Sequence, residues 1–279
     1  MPALPRYDVH AHAFHPKIAA KVVSQLESHY RIPAIGTGLY EDLAPRLQAA
    51  GISYCCIHSA ATKGEQVVPA NRWAASLLER PGVIPFGTMH PDFQDMEEEL
   101  AFLWDSGIRG IKLHPDFQGF WLNDERLDPL FAAMEGRFTL MVHVGDIYPP
   151  EQNPTCPYKV AALKRRFPKL QMIAAHFGGV HHWKYVVDAM AGMEIFMDTS
   201  SSLFAIPQDT LEQIYHAFPR HLFLFGSDYP LFDAPSEMRL LQERLRLPDS
   251  ELEELMTNAG QLGLVTREAP ATWTETAPR

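Results

Sequence analysis

The chain has 279 residues, 46% of them hydrophobic and 21% charged, with a net charge of −10. This composition excludes a disordered chain and supplies a large core. The acidic balance argues against a nucleic-acid backbone or an anionic membrane surface as partner, since basic residues gather only in "KRRF" at 164–167, read as an exposed helix end. Three cysteines, two of them adjacent at Cys55 and Cys56, make neither a disulfide framework nor a C-x-x-C metal motif. The opening "MPALPRYDVH" lacks the apolar run of a signal peptide, and no stretch is long and apolar enough to span a membrane. The expectation is a cytoplasmic protein that acts on a small molecule and is free to pair as a homodimer.

Eight short apolar runs follow one another along the chain: "YDVHAHAF" (7–14), "ISYCCIHSA" (52–60), "VIPFGTMHP" (83–91), "IRGIKLHP" (108–115), "FTLMVHVGD" (138–146), "LQMIAAHFGG" (170–179), "EIFMDTSSS" (194–202) and "LFLFGSDYPL" (222–231). Continuous apolar starts suit parallel strands covered on both faces, and the intervals are long enough for crossover helices. The segment "EEELAFLWDSG", for example, keeps helical spacing and stops at Gly107, a natural C-cap. A strand–helix unit repeated eight times predicts a single (β/α)8 TIM barrel over residues 1–265, with a peripheral tail at 266–279. The connection over 15–51 is longer than the others and has room for an extra helix or a lid. The similar pieces "MHPDFQDM" and "LHPDFQGF" point to shared loop chemistry at two strand ends.

Barrel enzymes draw their sites from the C-terminal ends of the strands. Here those ends carry His10 and His12, His58, His90, His114, His143, His176, Asp198 and Asp228. A lone histidine at such a place is usually a hydrogen-bonded structural residue, and His58 and His90 are read that way. The whole set is not explained so simply. Neutral imidazoles with a carboxylate are what a divalent transition metal requires, and a bound metal activates water or polarises a carbonyl group. His10 and His12, two apart on one strand face, deliver two ligands from one rigid element. Asp8 is expected on that inward face, one layer deeper, as a support for them.

His-x-His on the first strand, His on the fifth, "AHFGG" on the sixth, "MDTSS" on the seventh and "FGSDYP" on the eighth resemble the amidohydrolase superfamily. Within it they are most similar to the amidohydrolase-related family that includes aminocarboxymuconate-semialdehyde decarboxylase. The resemblance implies that His10, His12, His143 and Asp228 hold one divalent ion, with zinc expected. It also implies that His176 acts on the bound water or an oxyanion, that Asp228 doubles as proton acceptor, and that "NAGQLGL" is a closing helix. Asp198 and Ser200 match the seventh-strand motif in a structural role. Lys112 and His114 share one face of the fourth strand and are expected to contact the substrate. Some superfamily members instead carry a carbamylated lysine on this strand, bridging two metals. The function this favours first is hydrolysis of a small amide, lactone or ester by a metal-activated water; the alternative is non-oxidative decarboxylation at the same site.

Overall fold

The computed structural model describes residues 4–267 and Trp273. Apart from Thr266, Arg267 and Trp273, the tail expected at 266–279 lies outside the described residues. Each of the eight apolar runs contains one strand: β1 Tyr7–Ala11, β2 Tyr54–Ile57, β3 Val83–Thr88, β4 Gly110–Leu113, β5 Thr139–Val142, β6 Gln171–Ala174, β7 Phe196–Asp198 and β8 Phe223–Leu224. They pair in parallel in sequence order. Val9 N donating to Phe225 O at 2.9 Å and an isolated bridge between Ala11 and Tyr229 join the last strand to the first. The sheet is thereby the barrel that the sequence predicts, with helices between its strands.

Those helices are α1 Ala19–Tyr30, α2 Tyr40–Ala49, α3 Val67–Ser76, α4 Met96–Ser106, α5 Pro115–Gln118, α6 Asp128–Met134, α7 Pro157–Arg166, α8 Val186–Met190, α9 Gln208–Ala217, α10 Ala234–Leu245 and α11 Asp249–Thr257. Their ends obey local chemistry. Glu97, Glu98 and Glu99 occupy the first turn of α4, where the helix dipole favours acids, and Gly107 caps its end at φ 96°. Lys164, Arg165 and Arg166 fill the last turn of α7, so "KRRF" is a helix end as expected. The long first connection holds two helices, and α1 buries only Ala19 in the body of the protein. The "NAGQLGL" segment begins as a 3-10 turn at Asn258–Leu262, whose Ala259 and Leu262 pack with Val9, Met141 and Ile173 in one buried cluster. Among the described residues, no helix is long and apolar enough to cross a membrane.

One sequence expectation fails in β1. Asp8 pairs with Cys55 but Ala11 with Ile57, so three steps on β1 oppose two on β2. This bulge reverses the side-chain alternation: Val9 joins Cys56 in the inner cluster, and Asp8 does not share a face with His10. Asp8 still supports the site from behind, because its Oδ1 accepts from His10 N at 3.1 Å and Ser227 N at 3.0 Å. Burial pushes its carboxyl up to about 7.

The ends of β2, β3 and β4 are tied by one side chain. Gln118 Nε2 donates to Ala61 O at 2.7 Å and Met89 O at 2.8 Å, while its Oε1 accepts from His114 N at 2.7 Å. His90 Nε2 in turn donates to Gln118 O at 3.1 Å, the structural role expected of it. Gln118→Ala leaves three buried backbone groups without partners. It is expected to cost about 2–4 kcal/mol of stability, read as a lowered urea midpoint at unchanged slope; a loss under about 0.5 kcal/mol would show that the three loops hold their places unaided.

Candidate metal centre and its cavity

The site is organised around the Asp198 carboxylate, which is fully buried at the end of β7. It accepts from His10 Nδ1 at 2.9 Å, from the backbone N of His176 at 3.2 Å and of Ser200 at 3.0 Å, and from Ser200 Oγ. A carboxylate facing His10 Nδ1 requires the proton there and leaves Nε2 with a bare lone pair. His12 is set the same way, since its Nδ1 donates to His58 O at 3.0 Å. Both bare nitrogens point at Asp228: Oδ1 lies 3.6 Å from His10 Nε2 and 3.2 Å from His12 Nε2. Ser201 Oγ donates to the other oxygen of Asp228.

These three residues form a group whose ligating atoms all lie within 4.8 Å of one another. Two imidazoles with outward protons fixed and one carboxylate fit a divalent ion by donor type and by tautomer. Two other such groups exist among the described residues. His10, His176 and Asp198 also cluster, but Asp198 is saturated by the donors above and acts by orienting His10. His114, Asp116 and His143 cluster as well, but the Asp116 oxygens already hold Asn153 Nδ2 and Thr155 Oγ1.

His143 stands outside the group of His10, His12 and Asp228. Its Nε2 donates to Gly145 O at 3.0 Å, and its Nδ1 lies 3.0 Å from His176 Nε2. The two rings therefore share one proton between those nitrogens. The structure thus joins His10, His12 and Asp228 from the expected ligand set, and directs His143 toward His176. His176 Nδ1 is 3.2 Å from Ser200 O. His58 Nε2 donates to Val9 O at 2.8 Å, as a structural histidine would.

Lys112, 1% exposed, reaches into the same space, with Nζ 3.1 Å from His10 Nε2. Its neighbour on that face, His114, stacks on His143 with ring centroids 3.8 Å apart and meets Tyr30 Oη at 3.3 Å. Burial sets the protonation states. It pushes His10, His58, His114 and His143 well below the ordinary imidazole range, and the Lys112 charge adds to this, so all four are neutral at physiological pH. Burial lowers Lys112 to about 8, against the opposing pull of Asp198 and Asp228. For Asp228, burial raises the carboxyl, but the neighbouring His12 and His176 rings and the Ser201 hydroxyl together bring it below its ordinary value. It is therefore ionised at neutral pH.

His10, His12, Lys112, His114, His143, His176 and Asp228 line one cavity of about 1000 Å3. Helix α1 lies across it, contributing Val22, Leu26 and Tyr30. Sequence reasoning missed Tyr30 and Ser201 as parts of the site. The "SSS" run was a signal for Ser201; nothing local marks Tyr30, which meets His114 across 84 residues.

Two measurements test this centre. His12→Ala is expected to drop bound divalent metal well below one ion per chain by plasma mass spectrometry, and full retention would remove His12 from the ligands. Lys112→Met tests the buried ammonium in metal-free protein. Because the folded pKa of about 8 lies below the ordinary 10.5, the unfolded chain binds the extra proton, and the penalty is complete below pH 8 and gone above 10.5. The variant should be more stable than the parent by up to about 3 kcal/mol at pH 7, with the gap closing by pH 10.5. A gap that does not change with pH would show that the ammonium is not penalised.

Comparison with known proteins places the chain. A family profile described as Amidohydrolase matches residues 7–259. No curated protein matches by sequence. Three solved structures illustrate the likeness in fold. An uncharacterized TIM-barrel protein from Bordetella bronchiseptica has 18% identity and a TM-score of 0.67, covering 93% of this chain and 98% of that one. A 5-carboxyvanillate decarboxylase from Sphingomonas paucimobilis has 15% identity and a TM-score of 0.63, over 95% and 100%. A 5-carboxyvanillate decarboxylase from Novosphingobium aromaticivorans, complexed with manganese and 4-hydroxy-3-methoxy-5-nitrobenzoic acid, has 17% identity and a TM-score of 0.65, over 92% and 95%. With a profile match running almost from end to end, the chain belongs to the amidohydrolase family.

Proposed function

We propose that the chain is a metal-dependent carboxy-lyase that removes the carboxyl group of a hydroxylated aromatic acid without an oxidant. The observation that carries this reading is the Lys112 ammonium, buried 3.1 Å from His10 Nε2 and open to the cavity. A fixed cation set among neutral imidazoles calls for an anion, and a substrate carboxylate meets that need. Solved structures of this fold include decarboxylases of an aromatic acid, one of them with manganese, which supports the same choice. The sequence alone ranks hydrolysis first; these observations reverse the order.

His10, His12 and Asp228 would hold the ion, and manganese suits this donor set as well as zinc does. The ion would draw electron density from the substrate's oxygens. The remaining work falls to side chains. Lys112 would seat the carboxylate. Asp228, ionised at rest, would take the proton of a ring hydroxyl next to the carboxylate and deliver it to the carbon that bears the carboxylate. The bond to the carboxyl carbon would then break, its electron pair would return to the ring, and carbon dioxide would leave. The phenolate left behind would be protonated from water, so one proton is consumed per turnover. His176, which lines the cavity with Asp228, would steady negative charge on the substrate oxygen.

The test is carbon dioxide release from a panel of ortho-hydroxy aromatic acids by the manganese-loaded protein. Asp228→Asn is expected to lower turnover by about 10²- to 10⁴-fold with the fold intact. Hydrolysis of lactones or esters with no carbon dioxide from any acid would overturn the proposal in favour of a hydrolase.

A further inference from the structure

The cavity is far larger than a single-ring acid needs. At about 1000 Å3 it stands at the upper end of the range that encloses drug-sized molecules. Its polar residues are unevenly placed. Lys112, His114, His143, His176 and Asp228 gather at the inner end, at or just past the strand ends. The outer arm lies between α1 and α3 and includes Phe14, His15, Pro69, Ala70 and Trp73.

Two pairs of rings line that arm. His12 stacks on Phe14, with centroids 5.8 Å apart and planes 10° apart, and His15 meets Trp73 edge-on at 5.0 Å. The Trp73 Nε1 proton is taken by Ala13 O at 3.1 Å, so the indole has no free donor left to offer. Ile18, Val22 and Leu26 add apolar surface from α1. An arm of this kind suits an apolar, flat group.

The charge of the cavity opposes that of the chain. Among the described residues, Asp228 is the one acid in its lining, against Lys17, Lys21 and Lys112, in a protein of net charge −10. Lys17 and Lys21 are exposed at the outer end and make no ion pair among the described residues.

We infer that the substrate is an elongated aromatic acid: a reacting carboxylated ring at the metal centre, a second apolar ring along Phe14 and Trp73, and a distal anionic group received by Lys17 and Lys21. This rests on the carboxy-lyase reading for the reacting ring, while the arm and the lysines stand independently of it.

Three probes separate the parts: salicylate, 4-hydroxybiphenyl-3-carboxylate, and the same biphenyl with a carboxylate at the far para position. Their affinities for the manganese-loaded full chain can be read by calorimetry at low salt. The second ring should tighten binding about tenfold, and the distal carboxylate about threefold more. Trp73→Ala should erase the gain from the second ring and leave salicylate unchanged. Lys17→Ala combined with Lys21→Ala should erase the gain from the distal carboxylate alone. Equal affinities for all three probes on the unaltered protein would overturn the inference without need of any variant. Two-ring binding with no carbon dioxide from any aromatic acid would sink the proposed reaction and leave the substrate's shape standing; carbon dioxide from salicylate, with no gain from the second ring, would do the reverse.

Discussion

The constraint on which this site depends is the solvation of Asp198. A fully buried carboxylate is costly unless donors replace the water it has lost. Four do so: one ring N–H, two backbone N–H groups and a hydroxyl. In satisfying Asp198 they fix the His10 tautomer, anchor the turn that presents His176 and hold the Ser200 loop. The direction of the His10 lone pair, the contact with Lys112 and the approach of Asp228 follow from that one set of bonds. Removing the carboxylate would leave His10 free to flip and several buried donors unpaired.

The same economy shows in the backbone. His176, Phe177, Ser201 and Asp228 all have φ between 46° and 64°, a left-handed region that non-glycine residues adopt at a cost of about 1 kcal/mol or more each. These residues follow strands β6, β7 and β8 at the mouth of the barrel, where each chain must turn sharply to aim a side chain at the centre. Close approach matters beside them: a Cβ on Gly226 would come within 2.9 Å of the Cβ of His10. This strain sits around the candidate metal group, and the satisfied hydrogen bonds around Asp198 help to hold it.

Much of this could be read in the sequence, for a physical reason. Strand periodicity and strand-end position are local properties, so the eight runs and their terminal histidines and aspartates were visible one after another. What escaped notice depends on contacts between distant segments. Nothing near Gln118 marks it as the tie between three loops, since its partners are backbone carbonyls elsewhere. The bulge in β1 is invisible in "YDVHAHAF", and it turned Asp8 away from the face where simple alternation put it. Lys112 was expected to reach the substrate, but its contact with His10 spans 102 residues. Whether His143 turns to the metal group or to His176 is decided by the Gly145 carbonyl, whose direction is set by the turn after β5 rather than by the apolar pattern of the run.

The seam between the first and last strands carries one more implication. His10 and His12 belong to the first strand and its end, and Asp228 follows the last; they meet because Asp228 N donates to His10 O at 2.7 Å across the closing edge. A ribosome must therefore release the chain past Asp228 before the three side chains can converge. The grouping cannot assemble on a shorter nascent chain, and a product terminated before β8 would lack it altogether.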